Sequence, residues 1–419
     1  MMEPETGQTS RDGGTDVNRD KLKLQARSRA ARRLLAAALL GPLLAMALPQ
    51  GADAGALERR QAKRIHDRIA GVPPSETVLD LMEQDIVAGD PQAAARRAMN
   101  NRAFYNVTLK NFAAPWTNEA QSVFVPLNDY TATVIGMIRD DVPFDQVLSG
   151  DIIYIGDSAQ VPGLPPYSNT DNNHYQALDD MDADLQQVLV QRPQSQVTGL
   201  PATATAGVLT TRAAAEAFFV AGTNRAMFRF TMINHLCTDL EPLKDNSRPP
   251  DRVRQDVSRS PGGDSRIFMN SCVGCHAGMD PMVQAFAYYN YDEAQGRLVY
   301  TPGQVQPKYL INADNFKYGY VTPNDNWDNY WRAGPNANLG WSASLPGSGA
   351  GAKSLGAELA GSQAFAGCQV KKVFRTVCLR DPSDAADQAQ VSSMVSSFIA
   401  SNYSMKQVFA DAAVYCMGD

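Results

Sequence analysis

Cys272-Val273-Gly274-Cys275-His276 is the stretch from which the organisation of this chain can be worked out. The spacing C-x-x-C-H is typical of the covalent attachment site of a c-type haem. In such a site each thiol adds to one vinyl group of the porphyrin, and the adjacent imidazole becomes the proximal ligand of the iron. We therefore predict one covalent haem c, held by Cys272 and Cys275, with His276 on the iron.

Two other uses of a C-x-x-C pair fit this sequence less well. A structural zinc site needs two further ligands at a familiar spacing, but the nearest other cysteine is the distant Cys237, and no second C-x-x-C follows. A thioredoxin-like redox pair belongs at the start of a helix in a βαβ unit. The sequence around residue 272 has no such pattern, so haem attachment is favoured.

The first 54 residues have the order of a secretory signal peptide. A basic stretch, residues 21–33, precedes a largely apolar run at residues 34–48, and residues 52–54 read Ala-Asp-Ala, the A-x-A form of a cleavage site. The apolar run is short for a membrane span, which needs about 20 residues. We predict a mature chain of residues 55–419 that is periplasmic or otherwise exported to the cell envelope, with no transmembrane span after signal removal.

The charge of the chain bears on its partners. Lys and Arg number 38 against 44 Asp and Glu, a formal net charge of −6. Since residues 1–54 hold 8 basic and 6 acidic side chains, the predicted mature chain carries −8. Such an acidic chain does not favour nucleic acid binding. We expect instead a redox partner protein with a basic docking face.

Four cysteines lie outside the C-x-x-C-H motif: Cys237, Cys368, Cys378 and Cys416. An even number in an oxidising compartment indicates two disulfides. Cys368 and Cys378 are ten residues apart in a predicted helix, which would hold them about 15 Å apart. An up-down-up arrangement of the last three helices brings Cys378 and Cys416 to the same end. We therefore favour Cys378–Cys416 with Cys237–Cys368, and buried free thiols remain the alternative.

Hydrophobic periodicity and turn residues predict the local structure. Helices are expected at 56–70, 76–88, 91–99, 104–112, 127–139, 144–148, 176–190, 211–236, 281–289, 364–379, 386–401 and 404–416; strands at 297–300 and 318–321; loops at 151–175, 191–206 and 242–263; and a Gly/Ser linker at 345–352.

The segment from Cys272 to Arg297 resembles the haem segment of planctomycete-type cytochrome c-like proteins. In that family C-x-x-C-H is followed by Asp-Pro, an aromatic residue, an acidic residue and Gly-Arg, which correspond here to Asp280-Pro281, Phe286, Tyr291-Asp292 and Gly296-Arg297. Weaker likenesses at residues 224–225, 236–237, 365–368, 379–380 and 405–414 extend the match to about half of the mature chain. Val283 departs from the glycine of the family pattern. The resemblance implies haem binding, electron transfer and a C-terminal helical domain, with no settled substrate.

Together these observations predict a mainly α protein with a few short strands. Its expected parts are a signal peptide with an N-terminal extension at 1–54, a helical N-terminal domain at 55–206, a haem-binding cytochrome c-like domain at 207–300, an irregular Asn- and aromatic-rich connection at 301–353 and a C-terminal helical bundle at 354–419.

The sixth ligand of the iron is less constrained by the sequence. His235 directly precedes Leu236-Cys237, and Met232 and Met227 lie on the same predicted helix, so these three rank first as distal ligands. Two other histidines, His66 and His174, are expected at the surface.

The function that best fits these features is single-electron transfer between redox partners by an exported monohaem c-type cytochrome. No catalytic residue is assigned. Two alternatives stay open. One is a haem enzyme of the peroxidase type, or a cytochrome domain serving a catalytic site in the N-terminal domain. The other is an envelope scaffold with a structural haem.

Overall fold

Helices form most of the computed structural model, which describes residues 54–220, 222–253, 264–310 and 319–418. This confirms the predicted mainly α class. The predicted signal peptide lies outside the described residues except for Ala54.

The α-helices are numbered in chain order. They are α1 Ala54–Ala70, α2 Glu76–Val87, α3 Pro91–Ala98, α4 Lys110–Ala113, α5 Asp129–Arg139, α6 Asn173–Asp180, α7 Leu185–Val188, α8 Gln194–Thr198, α9 Arg212–Phe218, α10 Arg225–Leu236, α11 Ser265–Ile267, α12 Val273–Val283, α13 Gly351–Ala360, α14 Gln363–Cys378, α15 Ala385–Ala400 and α16 Met405–Tyr415. Phe104–Leu109 and Phe268–Cys272 are π-helices.

The first helices begin where the sequence offers capping side chains. Ser75 accepts a hydrogen bond from the backbone N–H of Val78 at the start of α2. Asp90 does the same for Ala93 at the start of α3, where Pro91 is the first residue. Such a side chain satisfies a backbone donor that has no partner within the helix, and proline is tolerated in the first turn. The predicted bounds of α1, α2 and α3 are confirmed within two residues.

The C-terminal bundle follows the same rule. α14, α15 and α16 begin after Ser362, Asp384 and Ser404, and each of these side chains accepts a backbone N–H of the first turn. α14 packs against both α15 and α16. All three helices begin and end within one residue of the predicted bounds.

Three small antiparallel sheets, each of two strands, lie between the helices along the described chain. They are β1 Ile153–Gly156 with β2 Leu189–Arg192, β3 Tyr289–Asp292 with β4 Arg297–Tyr300, and β5 Asn326–Asp328 with β6 Ser348–Ala350. In register, Ile153 lies opposite Arg192 and Tyr289 opposite Tyr300. The strand predicted at 297–300 is confirmed. The one predicted at 318–321 is wrong for residues 319–321, and residue 318 lies outside the described residues.

Several predicted loops and helices are wrong because their structure depends on distant partners. The predicted loop 151–175 contains β1, and the predicted helix 176–190 divides into the end of α6, α7 and the start of β2. The predicted loop 191–206 contains α8, and the linker at 345–352 contains β6 and begins α13. β1 pairs with a strand more than thirty residues away, although residues 152–155 read Ile-Ile-Tyr-Ile, a β-branched and aromatic run that is typical of a strand.

The helix predicted at 211–236 is broken. α9 ends at Phe218 and α10 begins at Arg225, with Asn224 between them in the left-handed conformation at φ 60°. The buried side-chain amide of Asn224 donates to the carbonyls of Phe286 and Tyr289, each at 2.9 Å. These tertiary bonds hold a backbone conformation that asparagine tolerates better than most residues.

The helix predicted at 281–289 is also wrong. α12 begins before this stretch and runs through Pro281 to Val283, and β3 starts at Tyr289. Pro281 therefore does not open a new helix, and it lies inside the helix that follows the C-x-x-C motif.

One apolar core joins the parts of the described chain. α1 packs against α14 and α16, and Phe228 of α10 meets Trp331 with ring centroids 5.9 Å apart. Buried residues from all the predicted segments after the signal belong to a single cluster. None of the helices in the described ranges is both long and apolar enough to cross a bilayer.

Candidate haem-attachment site

The C-x-x-C-H motif lies where a π-helix passes into an α-helix. Cys272 is the last residue of the π-helix Phe268–Cys272, and Cys275 and His276 occupy the first turn of α12. A π-helical turn inside an α-helix is rare and is frequent at functional sites. The motif therefore lies on continuous helical backbone, with its three reactive side chains within about one turn of each other.

Cys272 and Cys275 are the two free cysteines of the chain, and both are partly exposed. The other four form the disulfides Cys237–Cys368 and Cys378–Cys416, the pairing that the sequence analysis favours. The Sγ atom of Cys275 lies 3.6 Å from the carbonyl oxygen of Leu240, and burial raises the pKa of its thiol. Because the other four cysteines are paired with each other, the two motif thiols remain free to react.

His276 is held by a carboxylate one turn further along α12. Its Nδ1 lies 3.0 Å from Oδ2 of Asp280, whose side chain is only 1 % exposed. On its other side Asp280 accepts two hydrogen bonds from Arg225, at 2.8 and 3.1 Å. Burial alone would raise the pKa of Asp280, but the charge of Arg225 and the hydrogen bonds from Arg225 and His276 outweigh it and hold that pKa well below its usual value.

This chain of contacts sets the role of each imidazole nitrogen. Because the Asp280 carboxylate is ionised, it accepts the Nδ1–H of His276, and Nε2 becomes the atom able to coordinate a metal. A carboxylate on the outer nitrogen fixes the ring orientation and makes the imidazole a stronger ligand. Arg225, at the start of α10, thereby ties the motif helix to the rest of the fold.

A small apolar cluster lies beside the motif. Val253, Phe268 and Ala277 form it, Cys272 packs against it, and it is separate from the main core. The ring of Phe268 is 5.2 Å from that of His276, and the His276 side chain is 18 % exposed. Residues 254–263, which precede this segment, lie outside the described residues.

Two glycines near the motif serve packing. A Cβ on Gly278 would fall 1.8 Å from Nε1 of the buried Trp331, and one on Gly274 would fall 2.6 Å from Oδ1 of Asn246. The space beside both backbones is therefore filled by protein side chains.

The candidates for a sixth ligand are all buried. His235 is fully enclosed: its Nε2 is hydrogen-bonded to the Tyr130 hydroxyl at 2.7 Å, and the rings of Trp116 and Phe365 lie 5.3 and 6.4 Å away. Burial and the charge of Lys372 lower its pKa well below the usual value. These contacts come from the N- and C-terminal segments, so the surroundings of His235 are those of a core residue and do not support its role as distal ligand.

The two methionines on α10 pack in the main core. Met227 is 1 % exposed, with the Thr231 hydroxyl 3.9 Å from its sulfur, and Met232 is fully buried. Their assignment as distal ligands stays a prediction.

The prediction that His66 and His174 lie at the surface is wrong. His66 is 1 % exposed, and its Nδ1 bonds to the carbonyl of Val72. His174 is 3 % exposed; its Nε2 accepts the N–H of Gly156, and its Nδ1 bonds to the carbonyl of Pro165. Each ring satisfies backbone groups, which explains how a polar residue is accommodated inside.

The residues present fit a covalently attached haem. Two unpaired thiols at the attachment spacing lie next to an imidazole whose Nδ1 is occupied by Asp280, which leaves Nε2 as the atom that could coordinate an iron. An apolar cluster borders the same segment. Within the described residues, no group of three His, Cys, Asp or Glu side chains gathers as a metal site of another kind.

Comparison with known proteins leaves the family open. No protein-family model, no curated protein and no solved structure matches this chain.

Asp280 and Arg225 hold the His276 imidazole through contacts that the C-x-x-C-H pattern does not predict. Asp280 belongs to an Asp-Pro pair, and an acidic residue four positions after a histidine lies on the same helix face. That spacing is a usable signal for a histidine–carboxylate pair. No comparable signal links Arg225 to Asp280, since 55 residues separate them.

Proposed function

We propose that this chain is an exported monohaem c-type cytochrome that transfers single electrons between redox partners. The observation that carries the proposal is the combination of two free thiols, Cys272 and Cys275, with an adjacent imidazole held by a buried carboxylate. A bound haem c supplies a reversible one-electron couple.

Each residue of the motif has a separate task. Cys272 and Cys275 form the thioether links, and His276 presents Nε2 to the iron. Asp280 keeps the Nδ1–H and the orientation of the ring, and Arg225 keeps Asp280 ionised in a buried position. The apolar cluster around Phe268 excludes water from one side of the attachment segment.

Export is part of the proposal. The disulfides Cys237–Cys368 and Cys378–Cys416 suit an oxidising compartment, and covalent haem attachment requires the chain to reach it. The acidic mature chain suits a redox partner with a basic docking face, which would speed the encounter.

The deciding experiment is expression in a host competent for cytochrome c maturation. Purified protein is denatured, separated on a gel and stained for haem-dependent peroxidase activity, and its intact mass is measured. We expect a stained band and the mass increment of one haem, both lost in Cys272→Ala/Cys275→Ala. A band without stain and without a mass increment would overturn the proposal.

A haem enzyme of the peroxidase type is the second candidate, and the contact between His276 and Asp280 favours it. A carboxylate makes the proximal imidazole a stronger donor, which suits peroxide activation as well as a low potential. A reduced-minus-oxidised spectrum with redox titration separates the two. A low-spin spectrum without peroxide turnover indicates the carrier, and a high-spin spectrum with turnover indicates the enzyme.

A further inference from the structure

A surface groove of about 720 Å³ lies between α1, the π-helix Phe104–Leu109 and the end of α14. We call it the α1 groove. Its cationic edge consists of Arg60, Lys63, Arg64 and Arg68, and its apolar edge includes Val107 and Leu379. The volume lies in the range of about 300–1,000 Å³ that is typical of small-molecule pockets.

The cations of the α1 groove are only partly neutralised. Asp67 is the one carboxylate among the described lining residues, and it pairs with Lys63 at 2.5 Å. Arg64 donates to the carbonyl of Met417 at 2.6 Å, and Arg68 donates to the last carbonyls of α14. Carbonyl acceptors orient a guanidinium without cancelling its charge, so the groove keeps an excess of positive charge in a protein whose net charge is negative.

The spacing of these cations along α1 places like charges next to each other. Arg60, Arg64 and Arg68 follow each other at four-residue intervals on one face of α1, where like charges repel. Burial, then Arg64 and Arg380, lower the pKa of Arg68. An anion bound between these guanidinium groups would relieve the repulsion.

The other edge of the α1 groove exposes apolar surface. Leu379 is 72 % exposed and Val107 is 42 % exposed. Leu379 also has a φ of 58° at the end of α14, a left-handed position that usually takes glycine. Val107 belongs to a π-helix, a distortion frequent at functional sites.

We propose that the α1 groove binds an anionic amphiphile as a single molecule, with its carboxylate or phosphate head between Arg60, Arg64 and Arg68 and its acyl chain along Val107 and Leu379. The two edges match the two ends of such a molecule in charge and polarity. This site is remote in sequence from the C-x-x-C-H motif, and the proposal does not depend on the haem.

The test is calorimetric titration of the full-length protein with dodecanoate and with dodecyl phosphate, each below its micelle concentration. We expect saturable 1:1 binding that weakens as salt rises. The stronger of the two ligands identifies the head group. Dodecyl maltoside, which has the same chain and no charge, is expected to bind at least tenfold more weakly.

Variants separate the two edges of the groove. Arg60→Gln/Arg64→Gln removes two cations, and we expect a loss of about tenfold in affinity for either anion. Leu379→Ser removes exposed apolar surface, and we expect a loss of about fivefold. The matched control is Arg192→Gln, an exposed arginine on β2 whose side chain bonds only to the neighbouring Gln191 carbonyl, and it should bind like the parent.

Circular dichroism verifies that each variant is folded. The proposal is overturned if neither anion binds or if dodecyl maltoside binds as tightly as the anions. It is also overturned if both groove variants bind the anions with the affinity of the parent. Binding only to phosphatidylglycerol vesicles, with none to the monomeric ligands, would also overturn it, since that result assigns the surface to a membrane.

Discussion

Asp280 lies one helical turn after His276 and is buried between that imidazole and Arg225. It acts through His276, so it is a positioning residue for the candidate haem site. The contact between His276 and Asp280 joins residues four positions apart in the sequence. The burial that strengthens this contact depends on a distant residue, because Arg225 comes from another helix. If a haem is bound at this site, the carboxylate would stabilise its more positively charged ferric state.

Asp280→Asn should therefore raise the reduction potential. The amide keeps the shape of the carboxylate but loses its charge, and a change of about 1–2 kcal/mol in the relative stability of the two oxidation states corresponds to roughly 40–90 mV for a one-electron couple. Spectroelectrochemical titration of the haem-loaded protein measures it.

The matched control for this variant is Asp85→Asn. Asp85 also receives two hydrogen bonds from an arginine, Arg97, but lies far along the chain in α2. We expect its potential to equal that of the parent. Equal potentials in Asp280→Asn and the parent would mean that the carboxylate does not act on the iron ligand.

The burial of Lys308 has a cost in folding stability that can be measured. Its Nζ donates to the carbonyl of Phe219 at 2.5 Å, and burial lowers its pKa to about 8 from 10.5. Because the unfolded chain binds this proton more tightly, the charged form opposes folding below pH 8, and the cost disappears as the pH rises toward 10.5.

Lys308→Met should thus stabilise the protein by about 1–2 kcal/mol at pH 7, allowing for the lost hydrogen bond. The gain over the parent should shrink between pH 8 and pH 10.5. Urea unfolding at several pH values measures both. Lys353→Met is the control, because Lys353 donates to the Ala202 carbonyl from an exposed position; a similar gain there would contradict the role of burial.

At the scale of elements, α12 is the helix that carries the site, and its packing depends on Gly278. A Cβ there would lie 1.8 Å from Nε1 and 2.5 Å from Cδ1 of Trp331, which is fully buried. The sequence showed the glycine, but the ring that needs the space lies 53 residues further along the chain.

Gly278→Ala should lower the free energy of unfolding by about 3 kcal/mol, because overpacking in a core is costly. The matched variant is Gly367→Ala inside α14, where an added Cβ meets nothing within 4 Å. Alanine favours a helix over glycine, so this change should stabilise by about 0.5–1 kcal/mol. Urea denaturation compares the two, and equal effects would refute the packing argument.

At the scale of the molecule, one disulfide ties the C-terminal bundle to the rest of the fold and a second lies within the bundle. Cys237–Cys368 links α10 to α14 across 131 residues, and Cys378–Cys416 links α14 to the end of α16 across 38 residues. A cross-link restricts the unfolded chain more when it closes a longer loop. The first disulfide should therefore contribute more.

Cys237→Ala/Cys368→Ala and Cys378→Ala/Cys416→Ala should each cost about 2–4 kcal/mol, with the first about 1 kcal/mol more costly. Unfolding in urea without reductant measures the difference, and the two double variants serve as controls for each other. A larger cost for the shorter loop would show that local packing outweighs chain entropy.

The sequence by itself determined those features that depend on interactions between residues close together in the chain. The attachment motif depends on spacing inside one helical turn, and the bounds of α2, α3 and α14 follow from caps such as Ser75, Asp90 and Ser362. Such hydrogen bonds close within a single turn, so the residues that make them are neighbours in the chain.

Only the tertiary structure decided those features that depend on contacts between residues far apart in the sequence. Asn224 breaks a helix because its amide meets carbonyls of Phe286 and Tyr289, and His235 becomes a core residue because Tyr130 and Trp116 enclose it. The strand β6, whose sequence is Ser-Gly-Ala, likewise exists because of its partner β5. The free energy of such contacts comes from burial and hydrogen bonding between segments that only folding brings together, so no local pattern in the sequence reveals them.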